Sequence, residues 1–200
     1  MNLPNKLTVS RFALTAIFLT ILFCPWPIPF RNTLALLIFS LASFTDFLDG
    51  KIARSRNLIT NFGILMDPLA DKILTCSAFI AFVESTHLNP AAPVKVAAWM
   101  VIIIVGRELA ITGLRLLAAS KNLVLAAEGF GKHKTISQIV AILALLVVAA
   151  LHEWPLSLQK IFNGWAIPFT KIALWITVAL TVASGIIYLW RNRALYLNEV

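Results

Sequence analysis

The chain has 200 residues, 60% of them hydrophobic and 13% charged, with a mean hydropathy of +0.86. Soluble domains carry about 25% charged residues, so this balance excludes an ordinary water-soluble globule. It implies one polytopic, all-α membrane domain over residues 1–200, with the lipid bilayer as its partner. The net charge of +8 gathers in short segments between apolar runs. That distribution argues against nucleic acid as a partner and for membrane topology and anionic ligands.

At roughly 20 residues per span, six transmembrane helices fit the length. Residues 1–11 read as a short N-terminal amphipathic helix in the interface, with Leu3, Leu7 and Val9 among polar neighbours. The first span follows at 12–23. A cleaved leader is the rival reading, but the apolar run ends in Cys24-Pro25-Trp26-Pro27, which is no small-residue cleavage site. The second span covers 34–46, and Asp46 and Asp49 lie at its end. Residues 50–63 form the connection, and the third span runs from Gly63 to 83 with Asp67 and Asp71 in its first turns. Pro68 suits a first helical turn, where its missing N–H is no loss.

The fourth span, 94–117, contains Arg107, Glu108 and Arg115. A polar loop at 120–134 leads to the fifth span at 135–151, and the sixth occupies 167–190. Trp154, Trp165 and Trp190 fall near span ends, where interfacial aromatics belong. Cys24 and Cys76 form no zinc or redox spacing and fall on different spans, so they read as small core residues without a disulfide. His87, His152, Glu84 and Glu153 read as solvated loop residues. Lys6, Arg11, Lys51, Arg54, Arg56, Lys121, Lys132, Lys134, Arg191 and Arg193 fall on one side, against Arg31, Lys95 and Lys160, with Lys171 close by, on the other. The excess of cations on the first side puts both termini and the stretch from Asp46 to Asp71 on the cytoplasmic side.

Chemistry concentrates between Asp46 and Asp71, a stretch holding four of the nine acidic residues. Asp46 and Asp49 are spaced i, i+3, and Asp67 and Asp71 i, i+4, so on helices each pair shares a face. Carboxylates beside apolar spans are costly and mark function. Four of them without a partner would repel one another and take up protons, which a divalent cation with its preference for oxygen ligands prevents. Gly50 and Gly63 permit close approach, of helix to helix or of backbone to ligand. Arg107 and Glu108 interrupt an apolar run. With Arg115, Lys132 and Lys134 they form a basic group suited to a phosphomonoester; a positive-inside loop and a snorkelling arginine are the plainer readings of Lys132, Lys134 and Arg115.

The pattern D-x2-D-G-x2-A-R-x8-G-x3-D-x3-D, met here by Asp46, Asp49, Gly50, Ala53, Arg54, Gly63, Asp67 and Asp71, resembles the signature of the CDP-alcohol phosphatidyltransferase family. The resemblance implies that Asp46, Asp49 and Asp67, joined by Asp71, bind one or two Mg2+ or Mn2+ ions at the diphosphate of a CDP-linked lipid. It implies further that Asp71 is the base for the acceptor hydroxyl, and that Asn5, Thr8, Arg11, Asp49, Gly50, Ala53, Arg54 and Gly63 hold the CDP-lipid. Arg107-Glu108 and Gly131-Lys132-His133-Lys134-Thr135 are similar to strings in family members whose acceptor is sn-glycerol 3-phosphate. By that similarity, CDP-diacylglycerol and sn-glycerol 3-phosphate are the substrates. Arg107, Glu108, Arg115, Lys132 and Lys134 are then the residues at the acceptor phosphate. Inositol phosphate, serine or phosphatidylglycerol as the acceptor is the alternative, and a membrane transporter a remote one, disfavoured by carboxylates near one face and by the lack of a repeat. The resemblance further implies a bacterial inner-membrane location, and a homodimer is common in the family.

Overall fold

The structure is a computed structural model. It describes the backbone of residues 3–56, 61–88, 92–121, 130–162 and 164–197. It does not describe the side chains of residues 3–5, 7, 46–56, 61–65, 67, 68, 87, 88, 120, 130–132, 194 and 197. The described residues are helical, without strands, in the order α1 (Leu3–Phe23), α2 (Arg31–Arg56), α3 (Asn61–Leu88), α4 (Ala98–Ser120), α5 (Phe130–Ala150), a 3-10 turn (Leu151–Glu153), α6 (Leu156–Phe162), α7 (Ala166–Arg191) and α8 (Ala194–Leu197). Among them, α1 to α5 and α7 are each 21 to 28 residues long.

The elements follow the expected order but run longer than the apolar stretches. The N-terminal segment and the first span are one helix, because no proline or glycine interrupts residues 5–23. Thr8 and Arg11 are fully buried, so this helix turns polar side chains inward and does not lie as a separate amphipathic helix in the interface. Between α1 and α2, Pro25, Pro27 and Pro29 forbid helix. Phe30 takes a left-handed φ of 53°, and the Arg31 guanidinium donates to the carbonyls of Cys24 and Trp26 at 2.8 and 2.6 Å.

The expected loop at 50–63 is mostly helix. Gly50 to Arg56 extend α2, and α3 begins at Asn61, leaving 57–60 outside the described residues. Lysine and arginine are good helix formers and their charge suits a helix C-terminus, which is why a charged run that looks like a loop continues the helix. Pro68 is therefore the eighth residue of α3 and not part of its first turn. A proline there deprives the carbonyl four residues back of its helical N–H. Residues 94–97 precede α4 outside the helix, with Ala97 extended, and Lys132, His133 and Lys134 belong to the first turns of α5, not to a loop. Cys24 and Cys76 are free and half-buried.

The core runs between the helices through Phe18, Phe39, Leu74, Phe79, Ile104, Ile142 and Leu146, all nearly inaccessible. α1 packs on α2 and α3; α5 packs on both α2 and α7; α4 packs on α7 and α3. Alanines at 35, 42, 78 and 141 let these helices approach closely. On α4 the arrangement is inside-out by the standard of a soluble protein. Ile102, Leu109 and Leu116, one heptad apart, are 69%, 67% and 63% exposed, whereas the adjacent Glu108 is 6% exposed. Apolar faces outward and charge inward are what a lipid solvent selects. The stretch His133–Glu153 and α7 are long and apolar enough to cross a membrane by length and composition; Thr8–Phe23 is a shorter apolar helix.

Glu153 corrects one expectation. It is not a solvated loop residue: its side chain is 9% exposed and clasps the N-terminus of α2. Oε1 accepts from the Asn32 backbone N–H and Nδ2, both at 2.8 Å; Oε2 accepts from the Thr33 N–H at 2.9 Å and Oγ1 at 2.6 Å. Trp154 Nε1 donates to the same Thr33 hydroxyl at 3.0 Å. A carboxylate from 120 residues away thus caps the helix that carries Asp46 and Asp49, and the helix dipole favours its charge. His152 beside it is exposed, as is Glu84. The side chain of His87 lies outside the described residues.

Burial pushes the Glu153 carboxyl up, but the bonds from Thr33 and Asn32 outweigh it and hold the group below the usual glutamate range. A depressed carboxyl contributes stability that is fully present above its unfolded value, near 4.3, and is lost as pH falls through the folded value. Thermal unfolding in detergent should therefore show wild type losing stability as pH drops below that range. Glu153→Gln should be less stable by about 1–2 kcal/mol at neutral pH, and the two proteins should converge in acid. A constant gap down to acid pH would contradict the clasp.

Candidate active site

The carboxylate motif is divided between α2 and α3. Asp46 and Asp49 lie ten and seven residues before the end of α2, and Asp67 and Asp71 six and ten residues after the start of α3. At about 1.5 Å per residue, both pairs stand at matched distances from the two helix ends that 57–60 connects. The side chains of Asp46, Asp49, Ala53, Arg54 and Asp67 lie outside the described residues, as do those of Asn5 and Lys132 and the local packing of Gly50 and Gly63. The Asp71 side chain is half-buried, and its backbone carbonyl accepts from Thr75 Oγ1 at 3.1 Å. Its carboxylate is within electrostatic range of both Lys72 and Lys134.

That range matters because a second, basic constellation is assembled next to it from three helices. Glu108 of α4 is buried, and its Oε1 accepts from Arg107 Nη1 at 3.2 Å and from the Lys134 ammonium of α5. Lys72 of α3 donates to Thr112 Oγ1, and Thr112 in turn donates to the Glu108 carbonyl at 2.7 Å. Three formal cations thus surround one carboxylate in the interior of an apolar bundle. A buried charge without compensation is costly. Such a cluster can take further negative charge, of the kind a phosphomonoester carries.

α7 closes this region. Gly185 lets Arg107 lie against its backbone: a Cβ there would meet Arg107 Cγ at 3.1 Å. Thr177 Oγ1 donates to the Ser137 carbonyl at 2.9 Å, joining α7 to α5 one residue before Gln138. Arg107 Nε, Gln138 Nε2 and Thr181 Oγ1 are buried and have no hydrogen-bond partner among the described residues. Gln138 lies one turn after Lys134, so the two share a face of α5. Buried donors left unsatisfied cost about 1–3 kcal/mol each, and an oxygen-rich ligand relieves that cost.

Of the expected acceptor residues, Arg107, Glu108 and Lys134 meet. Arg115, also named for this site, makes its hydrogen bond elsewhere, though its charge acts on Lys72. It lies two turns further along α4, exposed, with Nε donating to Tyr188 Oη at 3.4 Å and its guanidinium 5.9 Å from that ring's centroid. Lys72 is a member that sequence reasoning missed. Its one sequence signal is its place directly after Asp71, which puts an ammonium beside a carboxylate on a helix wall. Thr8 and Arg11 are fully buried on α1, the helix packed against both carboxylate-bearing helices.

The donor set suits a hard divalent cation. Four carboxylates on two adjacent helices supply only oxygen, as Mg2+ or Mn2+ prefer.

Comparison with known proteins agrees with this geometry. The sequence profile of the CDP-alcohol phosphatidyltransferase family matches residues 1–183. The chain is 43% identical to a Bacillus subtilis protein named CDP-diacylglycerol–glycerol-3-phosphate 3-phosphatidyltransferase, over 96% of this chain and 95% of that one. Proteins of the same name from Rickettsia bellii and Haemophilus influenzae are 32% and 31% identical, over 94% and 100% of this chain and 93% and 97% of theirs. A helical bundle with split aspartate pairs, matched by that profile over nearly its whole length, belongs to the CDP-alcohol phosphatidyltransferase family.

Proposed function

We propose that the chain transfers the phosphatidyl group of CDP-diacylglycerol to sn-glycerol 3-phosphate, giving phosphatidylglycerophosphate and CMP. The observation that carries the choice of acceptor is the buried set of Lys72, Arg107 and Lys134 around Glu108, within electrostatic range of Asp71. The names of the curated relatives support the same substrates.

In this reading Asp46, Asp49 and Asp67, with Asp71 at the edge, hold Mg2+ or Mn2+ at the donor diphosphate. A bound divalent cation neutralises that diphosphate and the departing CMP. Thr8 and Arg11, with Asn5, Gly50, Ala53, Arg54 and Gly63, hold the nucleotide end. Lys72, Arg107, Lys134 and the neighbouring Lys132 grip the acceptor phosphate, so that the free primary hydroxyl is presented to Asp71. That hydroxyl oxygen attacks the phosphorus bearing the diacylglycerol. Its proton passes to the Asp71 carboxylate, the bond to the bridging oxygen breaks, and CMP leaves with the electron pair. A carboxylate near a metal is a weak base, so much of the effect of Asp71 comes from positioning. Glu108 orients Arg107 and Lys134 and keeps the empty pocket from being a bare cationic cluster.

The same reading has α1 to α5 and α7 as six spans of a bacterial inner membrane, with both termini and the aspartates at the cytoplasmic face, where cationic loops accumulate. It also includes the homodimer common in the family. A different acceptor within the family is the second reading, and the three-cation cluster disfavours neutral acceptors such as serine.

Three outcomes are expected. Asn substitution at Asp46, Asp49, Asp67 or Asp71 should abolish CMP release with magnesium as the sole metal, while circular dichroism stays unchanged. Asp71→Asn should keep most CDP-lipid binding, whereas the other three should weaken it. Full turnover in any of the four would overturn the assignment.

Lys72→Gln and Arg107→Ala should each raise KM for sn-glycerol 3-phosphate about ten- to a hundredfold, the loss of one charge-assisted contact. KM for CDP-diacylglycerol should change little, and Glu108→Gln should do less to the same parameter. A two-substrate kinetic series with serine, inositol and inositol phosphate as rival acceptors measures this. An unchanged KM in both variants, or a wild-type preference for an unphosphorylated acceptor, would refute the acceptor.

In a background with Cys24 and Cys76 replaced, a membrane-impermeant thiol reagent should label Lys95→Cys and Lys160→Cys from outside. Arg54→Cys and Arg193→Cys should react only after the cytoplasmic side is opened. Outer labelling of Arg54→Cys would reverse the topology.

A further inference from the structure

The end of the bundle away from the aspartates carries cations that the reaction does not use. A groove of about 400 Å³ lies between the segment leading into α4 and the first turns of α7. Lys95 and Lys171 line it together with Pro93, Met100, Leu174 and Trp175, and no acidic residue does so. Both lysines are exposed, and neither has a carboxylate or hydrogen-bond partner among the described residues. They come from different elements, one before α4 and one on α7, yet border the same groove.

The groove is graded along its depth. Lys171 and Trp175 are i, i+4 on α7, so the ammonium and the indole share one face, with the indole one turn further into the helix. Trp175 pairs with Trp99 of α4 at 5.7 Å between ring centroids, tilted by 51°. Met100 and Leu174 continue the apolar side. Tryptophan with an apolar body and a polar edge belongs at headgroup level, and lysine stems lie along apolar surface while their charge reaches the phosphate layer. The groove therefore offers two unneutralised cations at its mouth and an aromatic and aliphatic wall beneath, in the order of a glycerophospholipid.

We propose that this groove binds an anionic glycerophospholipid of the leaflet opposite the active site, its phosphate between Lys95 and Lys171 and an acyl chain along Trp175, Met100 and Leu174. A zwitterionic lipid brings its own cation to the two lysines and is disfavoured; a lipid of net negative charge is not. Asp71 lies 17 residues before the end of α3, the end that leads into this segment, so the groove is roughly 25 Å from the aspartates along that helix. It is thus separate from the site that binds the CDP-linked lipid. The inference rests on these helices spanning the bilayer.

The full-length protein, reconstituted in phosphatidylcholine vesicles, is titrated with brominated-tail phosphatidylglycerol or brominated-tail phosphatidylcholine, and tryptophan fluorescence is read. Wild type should be quenched by the anionic lipid at roughly tenfold lower mole fraction. Trp175→Phe should remove most of that excess quenching, and the double variant Lys95→Gln/Lys171→Gln should abolish the preference while releasing CMP at the wild-type rate. Equal quenching by the two lipids would overturn the proposal, as would a preference that survives in the double variant. Loss of the preference on adding inorganic phosphate would assign the lysines to a free anion instead. Trp175 shielded from both brominated lipids would show the groove covered by a second copy of the chain, which also defeats the lipid site.

Discussion

A buried carboxylate holding cations from two helices is the interaction on which the site depends. Glu108 accepts from Arg107 on its own helix and from Lys134 on α5, while its backbone carbonyl receives Thr112, which accepts from Lys72 on α3. Remove that carboxylate and three cations face one another inside an apolar bundle, where each uncompensated charge is expensive. Keep it and the cluster is tolerable when empty yet still short of negative charge. In the proposed reading a phosphate would supply the remainder. Glu108 ties α4 directly to α5 and, through Thr112, to Lys72 of α3.

α2 is capped at its start and packed along its length. At its start, Glu153 and Trp154 bind Asn32 and Thr33, so the N-terminus is capped by residues distant in sequence. In its second half it carries Asp46 and Asp49, whose mutual repulsion would otherwise loosen the helix. Between these ends Ala35, Phe39 and Ala42 are fully buried in the core. α1 packs along α2 and α3 and brings Arg11 inside with them. Carboxylates that share a cation, as proposed for these, need a steady backbone, and a helix capped at its far end, packed along its length and flanked by α1 offers one.

Much of this was legible from residues alone because lipid makes charge conspicuous. Asp46 to Asp71 and Arg107-Glu108 stand out since an apolar helix has no ordinary use for them. Helix order followed from apolar runs of sufficient length. Helix ends did not, because hydropathy marks where lipid ends and not where hydrogen bonding ends: Gly50 to Arg56 and Lys132 to Lys134 are charged and helical at once. Lys72 was hidden for another reason. A lysine beside an aspartate reads as its local partner, and only the packing of α3 on α4 shows its ammonium at Thr112. Glu153 looked like a loop residue because a cap supplied from 120 residues away leaves no local signature. Arg115 has a contact that sequence does not show: Tyr188 of α7 gives it a ring and a hydroxyl.

The arrangement also separates the two halves of specificity. In the proposed reading the nucleotide end of the donor is the concern of α1, α2 and the start of α3, whereas the acceptor is the concern of α4 and α5. α3 belongs to both, with Asp71 and Lys72 adjacent on it. A site selects most sharply when the wrong ligand leaves its buried polar groups unpaired, since each such group costs more than a missing apolar contact. Arg107 Nε and Gln138 Nε2 are buried groups of this kind. An acceptor without a phosphate leaves them, and the excess charge of the cluster, unanswered. An acceptor with a phosphate would satisfy them, and its length would then set whether its hydroxyl arrives at Asp71. On that reading charge selects the class of acceptor, and the short distance along α3 from Lys72 to Asp71 selects within the class for a small molecule whose hydroxyl lies near its phosphate.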